Sequence, residues 1–437
     1  MKKKLLTLLC ALALTASLVP CARALEGEGT RAAQALSSLG LVCGTDHGYA
    51  AEDTAVQEQA AALLVRMLGA EKTAGADRRW CGWQNVPVWA RSAVNYCAYY
   101  ALLSPEEYAP NGALDADVWC AMLLRALGYG GEPGVSPART AQRIGLVPRA
   151  LSGALTRGEM FETALGALTY PTADGHTLLG VLLDKRLCTA EAADALGLRS
   201  ERLTARQTAD RYLSAVLRLE LYDSEAMQAA EEERTSSATA SAFLISPDGL
   251  AVTNYHSIDG AVYGTATLVT GEVFAIERIL YYDTDIDIAV IRISRTNTHG
   301  EAAARFNTIA LAGTDEVRVG DVVYAIGNPL GLGLAMSQGV VSATAHDADL
   351  STLPCIVSDA TISRGSSGGA LLNEYGHAIA VTTGAYVYGN NMYLGVPVDP
   401  AMTADLTGEG MTLQEVFDAV TAAREAAEAS ETAETEE

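Results

Sequence analysis

The sequence predicts a multidomain protein, an all-α domain of three helical repeats followed by an all-β domain of many short strands. Three observations carry this. Residues 31–199 are rich in Ala and Leu and keep the helical period. Within that stretch similar segments recur three times. From Ala240 the period changes to short extended runs punctuated by Gly, Pro and Asn.

Composition narrows the function first. At roughly 100–200 residues per domain, 437 residues hold two to four domains. A hydrophobic share of 49% against 19% charged excludes a disordered chain. Thirty Lys+Arg against 53 Asp+Glu give a net charge of −23. Residues 1–24 hold Lys2, Lys3, Lys4 and Arg23 and no acid, so the rest of the chain carries 26 bases against 53 acids, or −27. Such a surface repels phosphate backbones, and no nucleic-acid partner is expected.

Met1–Ala24 has the build of a secretory signal peptide. Lys2–Lys4 start it, Leu5–Val19 form a short apolar run, and Ala22-Arg23-Ala24 is a small-x-small cleavage site that leaves Leu25 first. A lipoprotein cysteine at Cys21 is the rival reading, and Pro20 before it fits poorly. No later stretch is long and apolar enough to span a bilayer. The expectation is a secreted or cell-wall associated chain, not an integral membrane protein. Cys43, Cys81, Cys97, Cys120, Cys188 and Cys355 remain after cleavage, and none forms a C-x-x-C pair, so no metal is expected. Cys97 and Cys120 fall on apolar helix faces, where cysteine packs as a small hydrophobe.

The three helical segments are Leu36–Gly69, Trp83–Tyr129 and Ile144–Leu168. Each gives a helix, a connection and a second helix, and stacking the pairs buries faces that one pair leaves open. The pattern resembles the S-layer homology family, best at Trp83, Val86, Pro87 and Trp89, with Thr156-Arg157-Gly158-Glu159 matching that family's Thr-Arg-x-Glu signature. Thr54 and Glu58 are a loose echo in the first repeat, and the second reads Leu114-Asp-Ala-Asp117. The resemblance implies that residues 31–199 bind cell-wall polysaccharide, with Arg157 and Glu159 as the polymer-binding pair. The plainer reading is that Arg157 caps the helix or pairs with Glu159 on its face.

Residues 200–235 are expected to be a helical linker, from the spacing of Tyr212, Val216, Leu219 and Leu221. Residues 236–402 then form the β domain. Its expected extended runs are Phe243–Ile245, Ala251–Thr253, Tyr263–Thr270, Val273–Ile279, Ile288–Ile293, Asp321–Ile326, Gly339–Ala343, Cys355–Ser358, Ala370–Leu372, Ala378–Thr383 and Met392–Val398. Residues 403–437 end the chain, with a helix expected over Leu413–Ala429 and an acidic tail from Arg424 that frays.

Chemistry concentrates in three patches of the β domain. They are Thr253-Asn-Tyr-His256 after a strand, Asp285-Ile-Asp287 before an apolar strand, and Arg364-Gly-Ser-Ser-Gly-Gly369 in a glycine-rich turn. A serine hydroxyl is a weak nucleophile at neutral pH. It needs an imidazole to take its proton and a carboxylate to hold the right tautomer. Glycines beside it let backbone N–H groups converge on one oxyanion. The order His, Asp, Ser is that of the chymotrypsin class.

These blocks resemble the trypsin-like protease domain of the HtrA (Deg) type across residues 240–400. Phe243–Gly249 with Val252–His256, Asp287–Ile293, Ala325–Gly331 with Gly339–Ser342, and Gly365–Leu371 follow in the family's order. The resemblance implies an all-β chymotrypsin-like double β-barrel. It implies His256 as general base, Asp287 as the acid that orients it, and Ser367 as nucleophile, with the N–H groups of Gly365 and Ser367 as oxyanion hole. Asp283 and Asp285 compete for the acid role, and Asp287 is preferred because it directly precedes Ile-Ala-Val. His47, His176, His299 and His346 lie in polar or Gly-rich segments without a strand-end setting, and His377, after Gly376, is expected in a hairpin turn at the surface. Ala240-Ser-Ala242 stands where the family has Gly-Ser-Gly, which predicts a reshaped strand edge. No PDZ domain is expected in the 37 residues after Pro400.

The function read from these features is an exported serine endopeptidase, without cofactor or metal, acting on protein or peptide substrates. The alternative is a catalytically inactive, protease-like binding protein of the cell envelope. The residue six before the nucleophile, Thr361, and its neighbour Ile362 are expected to form the substrate pocket. A threonine floor cannot offset the desolvation of a cation, so cleavage is expected after small or medium apolar residues.

Overall fold

The computed structural model describes residues 27–44, 48–77, 81–132, 134–230, 233–385 and 391–435, with side chains up to residue 429. The segment read as a signal peptide and His47 lie outside the described residues.

The first half is helical. Helices Glu28–Ser38, Gln57–Met67, Arg91–Tyr99, Ala116–Ala126, Pro137–Arg143, Arg157–Thr169 and Leu178–Asp184 enclose one core that buries Leu36, Leu64, Met67, Trp119, Met122 and Phe161. The Trp119 indole N–H donates to Thr163 Oγ1 at 2.7 Å, which satisfies the one polar atom that this large side chain brings inside. Three helix entries meet at the centre. Ala55 N–H donates to the Leu155 carbonyl (2.9 Å), Leu155 N–H to Leu114 (2.8 Å) and Leu114 N–H to Ala55 (2.8 Å). The bonds close a ring, and all three residues are fully buried.

The ring also sets which residues are equivalent. Gln57, Ala116 and Arg157 each open the helix that leaves it. By that register Val56 and Gln59 stand where Thr156 and Glu159 do, so the echo read at Thr54 and Glu58 is offset by two positions and by one, and Gln57 stands in the place of Arg157. Gln57 is spent on backbone, donating to the Glu107 carbonyl and accepting from Ala109 N–H.

The second half is two closed six-stranded barrels. The first has strand order β1-β2-β3-β6-β5-β4, from Val216–Tyr222 (β1), Ala238–Leu244 (β2), Leu250–Thr253 (β3), Tyr263–Thr267 (β4), Val273–Asp283 (β5) and Ile288–Asn297 (β6). The second runs β10-β11-β12-β9-β8-β7, from Val322–Gly327 (β7), Ala335–Ala348 (β8), Ser351–Ser358 (β9), Ala370–Asn373 (β10), Ala378–Ala385 (β11) and Tyr393–Pro397 (β12). A shared core of Val216, Phe243, Val252 and Val290 from one barrel and Ile326, Val357, Ala370 and Val396 from the other joins them. Every run expected as extended overlaps one of these strands.

Three expectations are corrected. Residues 200–235 are not a helical linker, because among the described residues only Ala205–Tyr212 and the short Ser224–Gln228 are α-helical there and β1 lies between them. Leu217, Leu219 and Leu221 alternate inward with period two, and β1 pairs with both β2 and β4 to close the barrel. Ala240–Ala242 does not reshape the edge, since β2 keeps an unbroken register against β1. The last helix does not stop at Ala429. It runs Leu413–Thr435, buries Leu413 and Val416 against the first barrel, and pairs Arg424 with Asp259 at 2.9 Å.

The halves are joined by a buried charge cluster. Arg143, from the helical half, is 1% exposed and pairs with its neighbour Glu132 and with Glu272 of the first barrel, the latter at 2.7 Å. Glu132 Oε1 accepts the Ala304 N–H, and Thr270 Oγ1 donates to Glu272 Oε2. Arg139 pairs with Glu301 at the rim, and the Arg305 guanidinium sits 4.9 Å from the Tyr129 ring centre.

Candidate active site

Each barrel contributes half of the site. β3 ends at Thr253, and the next residues wind into the single turn Tyr255–Ile258, which carries His256. Asp287 sits in the tight turn between β5 and β6 with φ +67°, a left-handed conformation that a short polar side chain tolerates. His256 Nδ1 lies 2.8 Å from Asp287 Oδ2, and the His256 backbone N–H donates to Oδ1 at 2.8 Å. Thr383 Oγ1, on β11, adds a third donor to Oδ2 at 2.9 Å. A carboxylate only 6% exposed is thereby satisfied on both oxygens, while the imidazole stays 48% exposed.

The competing acids do other work. Asp283 Oδ1 caps the turn by accepting the N–H groups of Asp285 and Ile286. The Asp285 carbonyl accepts Thr352 N–H, at the start of β9.

Ser367 lies in the loop before β10. Its hydroxyl donates to the Thr383 carbonyl at 2.9 Å rather than to His256. The structure thus brings His256 and Asp287 together and sets Ser367 on Thr383, so that one residue touches both the acid and the serine. Ser366 is buried and its Oγ accepts the Ser363 N–H.

The loop around Ser367 has a fixed backbone. The Arg364 carbonyl is held by Leu330 N–H (2.6 Å), the Gly365 carbonyl by Ser241 Oγ (2.7 Å), and the Ser367 carbonyl by Ser241 N–H (2.8 Å). With these carbonyls held, the N–H groups of Gly365 and Ser367 donate to no acceptor among the described residues. Gly365 has φ +87°, and a Cβ there would lie about 2.5 Å from the Asn328 carbonyl oxygen, so the position admits glycine alone.

Thr361 is exposed and its carbonyl accepts Ser337 Oγ at 2.7 Å, while Ile362 packs half-buried against the second barrel's core. The nearby Asp359 carboxylate accepts the Val340 N–H at 2.6 Å. Far from this site, Glu159 closes a capping box with Thr156, so it is not paired with Arg157. Arg157 Nε donates to the Tyr49 carbonyl at 3.1 Å, and its guanidinium lies over the Phe161 ring. It borders a cavity of about 330 Å³ shared with Arg66, Gln59, Trp89 and Phe161.

Sequence reasoning missed Thr383, Ser241 and Leu330. Thr383 and Ser241 stand at strand positions where a hydroxyl carries no signal of its partner, and Leu330 acts through its backbone.

Residues 240–381 match the trypsin-like peptidase domain family. The chain is 37% identical over 158 residues to the probable periplasmic serine endoprotease DegP-like of Chlamydia pneumoniae, covering 35% of this chain and 30% of that protein. It is 37% identical over 147 residues to the serine endoprotease DegS of Haemophilus influenzae, covering 33% and 40%. A crystal structure of the serine endoprotease from Yersinia pestis aligns with 46% of this chain and 64% of its own at 24% identity, with a TM-score of 0.37. The chain therefore spans less than half the length of these curated relatives. Among the described residues no helix is long and apolar enough to cross a membrane. Residues 240–381 are thus similar to trypsin-like peptidase domains, and the proteins that this part of the chain resembles are named serine endoproteases.

Proposed function

We propose that the chain is an exported serine endopeptidase that cuts peptide bonds with Ser367, His256 and Asp287. The observation that carries this is the pairing of His256 Nδ1 with a buried, fully bonded Asp287 beside a loop with two undirected N–H groups. Asp287 holds the Nδ1–H tautomer, which leaves Nε2 free to take the Ser367 proton. The Ser367 oxygen attacks the substrate carbonyl carbon, and the oxyanion that forms meets the N–H groups of Gly365 and Ser367. His256 then gives its proton to the leaving amine, and water hydrolyses the acyl-enzyme by the same steps. Ser367 must first release the Thr383 carbonyl before its proton can pass to His256.

Thr361 and Ile362 would form the primary pocket. The floor position Thr361 carries no carboxylate to offset a buried cation, and the exposed Asp359 holds the Val340 N–H on Oδ1, so the reading is cleavage after Val, Ala, Ile or Leu. The helical half reads as an S-layer homology-like module of three repeats. The ring of three helix entries supports the repeat, and the cavity beside Arg157 supports an acidic wall polymer as ligand.

A fluorophosphonate tests the central claim. It should label the protein at Ser367, and Ser367→Ala should abolish labelling. An unlabelled but folded wild-type protein would favour the inactive, protease-like binding protein.

A further inference from the structure

Asn254 is fully buried at the end of β3, two residues before His256, and its side chain spans the gap between the barrels. Its Oδ1 accepts the N–H of Gly368, the residue after Ser367, at 2.7 Å. Its Nδ2 donates to the backbone carbonyl of Asp287 at 3.0 Å. The amide orientation follows from its partners, because an N–H needs the oxygen and a carbonyl needs the nitrogen.

Both partners are backbone groups of left-handed residues. Asp287 has φ +67° and Gly368 has φ +86°. Gly368 is pinned further, since a Cβ on it would collide with the Ser241 carbonyl and Thr253 Oγ1. One buried amide thus ties the backbone that aims the acid to the backbone that aims the nucleophile. Both of these hydrogen bonds go to main chain, and neither to a side-chain atom of His256, Asp287 or Ser367.

We infer that Asn254 is a positioning residue, which sets the distance between the His256–Asp287 pair of the first barrel and Ser367 of the second. The inference rests on the serine endopeptidase reading. Neither bond faces substrate, so losing them lowers turnover and leaves substrate affinity in place. Displacing a reacting group by about an ångström costs on the order of 100-fold in rate.

The test uses the full chain and a peptide substrate. Wild type is first reacted with a fluorophosphonate. Failure to label Ser367 there would sink the endopeptidase reading itself, before any variant is compared. With a reactive wild type, Asn254→Ala should lose about 10- to 100-fold in kcat and keep KM within about twofold. Asn254→Asp matches the shape, keeps the acceptor for Gly368 and removes the donor to Asp287, so it serves where the alanine variant does not fold. It should lose at least about tenfold in kcat at unchanged KM. Wild-type kcat in a folded variant, or a loss confined to KM, overturns the inference.

Discussion

Two buried charge clusters sit in this chain, and they are built differently. At the Asp287 cluster the acid is enclosed by three donors, but its partner His256 keeps nearly half its surface open. At the Arg143 cluster every charged group is sealed, with Glu132 and Glu272 both under 10% exposed. Charge closed on one side is left available to a reactant. Charge closed on all sides holds two halves of a fold in register and offers nothing to solvent. Exposure of the second partner, rather than burial of the first, separates a site from a joint.

The comparison breaks most sharply at Asp287. Asp287→Asn keeps the shape but reverses the imidazole tautomer, and hydrolysis of a peptide substrate should fall by about 10⁴-fold in a folded protein. A loss of less than about tenfold would move the acid role elsewhere. At the joint, Arg143→Met leaves two buried carboxylates facing each other and should cost about 3–5 kcal/mol in urea denaturation. The folded fraction should cut substrate at the wild-type rate. Adding Glu132→Leu and Glu272→Leu should restore most of that stability, because the cost comes from the uncompensated charges.

A smaller effect concerns Arg157, half-buried beside the cavity of the helical half. Arg157→Ala should weaken sedimentation with purified cell walls by about tenfold, the scale of a charge-assisted hydrogen bond, and added salt should weaken wild type in the same direction. Unchanged sedimentation would make the cavity a feature of packing. The smallest effect is at a half-buried pair. Arg125 grips Glu107 with two 2.7 Å bonds and holds its carboxyl below the ordinary value of 4.5. A lowered folded value means stability that is present above the unfolded pKa and lost as pH falls through the folded one. Glu107→Gln should therefore cost up to about 1 kcal/mol at neutral pH, and the difference from wild type should vanish in acid titration below that window.

Much of the candidate site in the β half was legible because its chemistry is tied to residue types. A histidine at a strand end, an acid before Ile-Ala-Val and a serine among glycines can be read without coordinates. What stayed hidden works through backbone or across distance. Thr383 receives the Ser367 hydroxyl on a carbonyl, and Ser241 grips two more carbonyls of the loop around Ser367, bonds that any residue type could supply at the main-chain end. Arg143 finds Glu272 129 positions away. β1 was hidden for another reason. Tyr212, Val216 and Leu219 fit a helix, Leu217, Leu219 and Leu221 fit a strand, and only the need to close a barrel decides between them.

The ring at Ala55, Leu114 and Leu155 bears on copy number. Each entry gives one N–H to the next and receives one from the last, so three units use every bond that the centre offers. An open stack of helix pairs lengthens by adding a unit at either end. This centre has no end, and a fourth unit inserted into it would have to separate a bonded pair of neighbours and widen a fully buried axis.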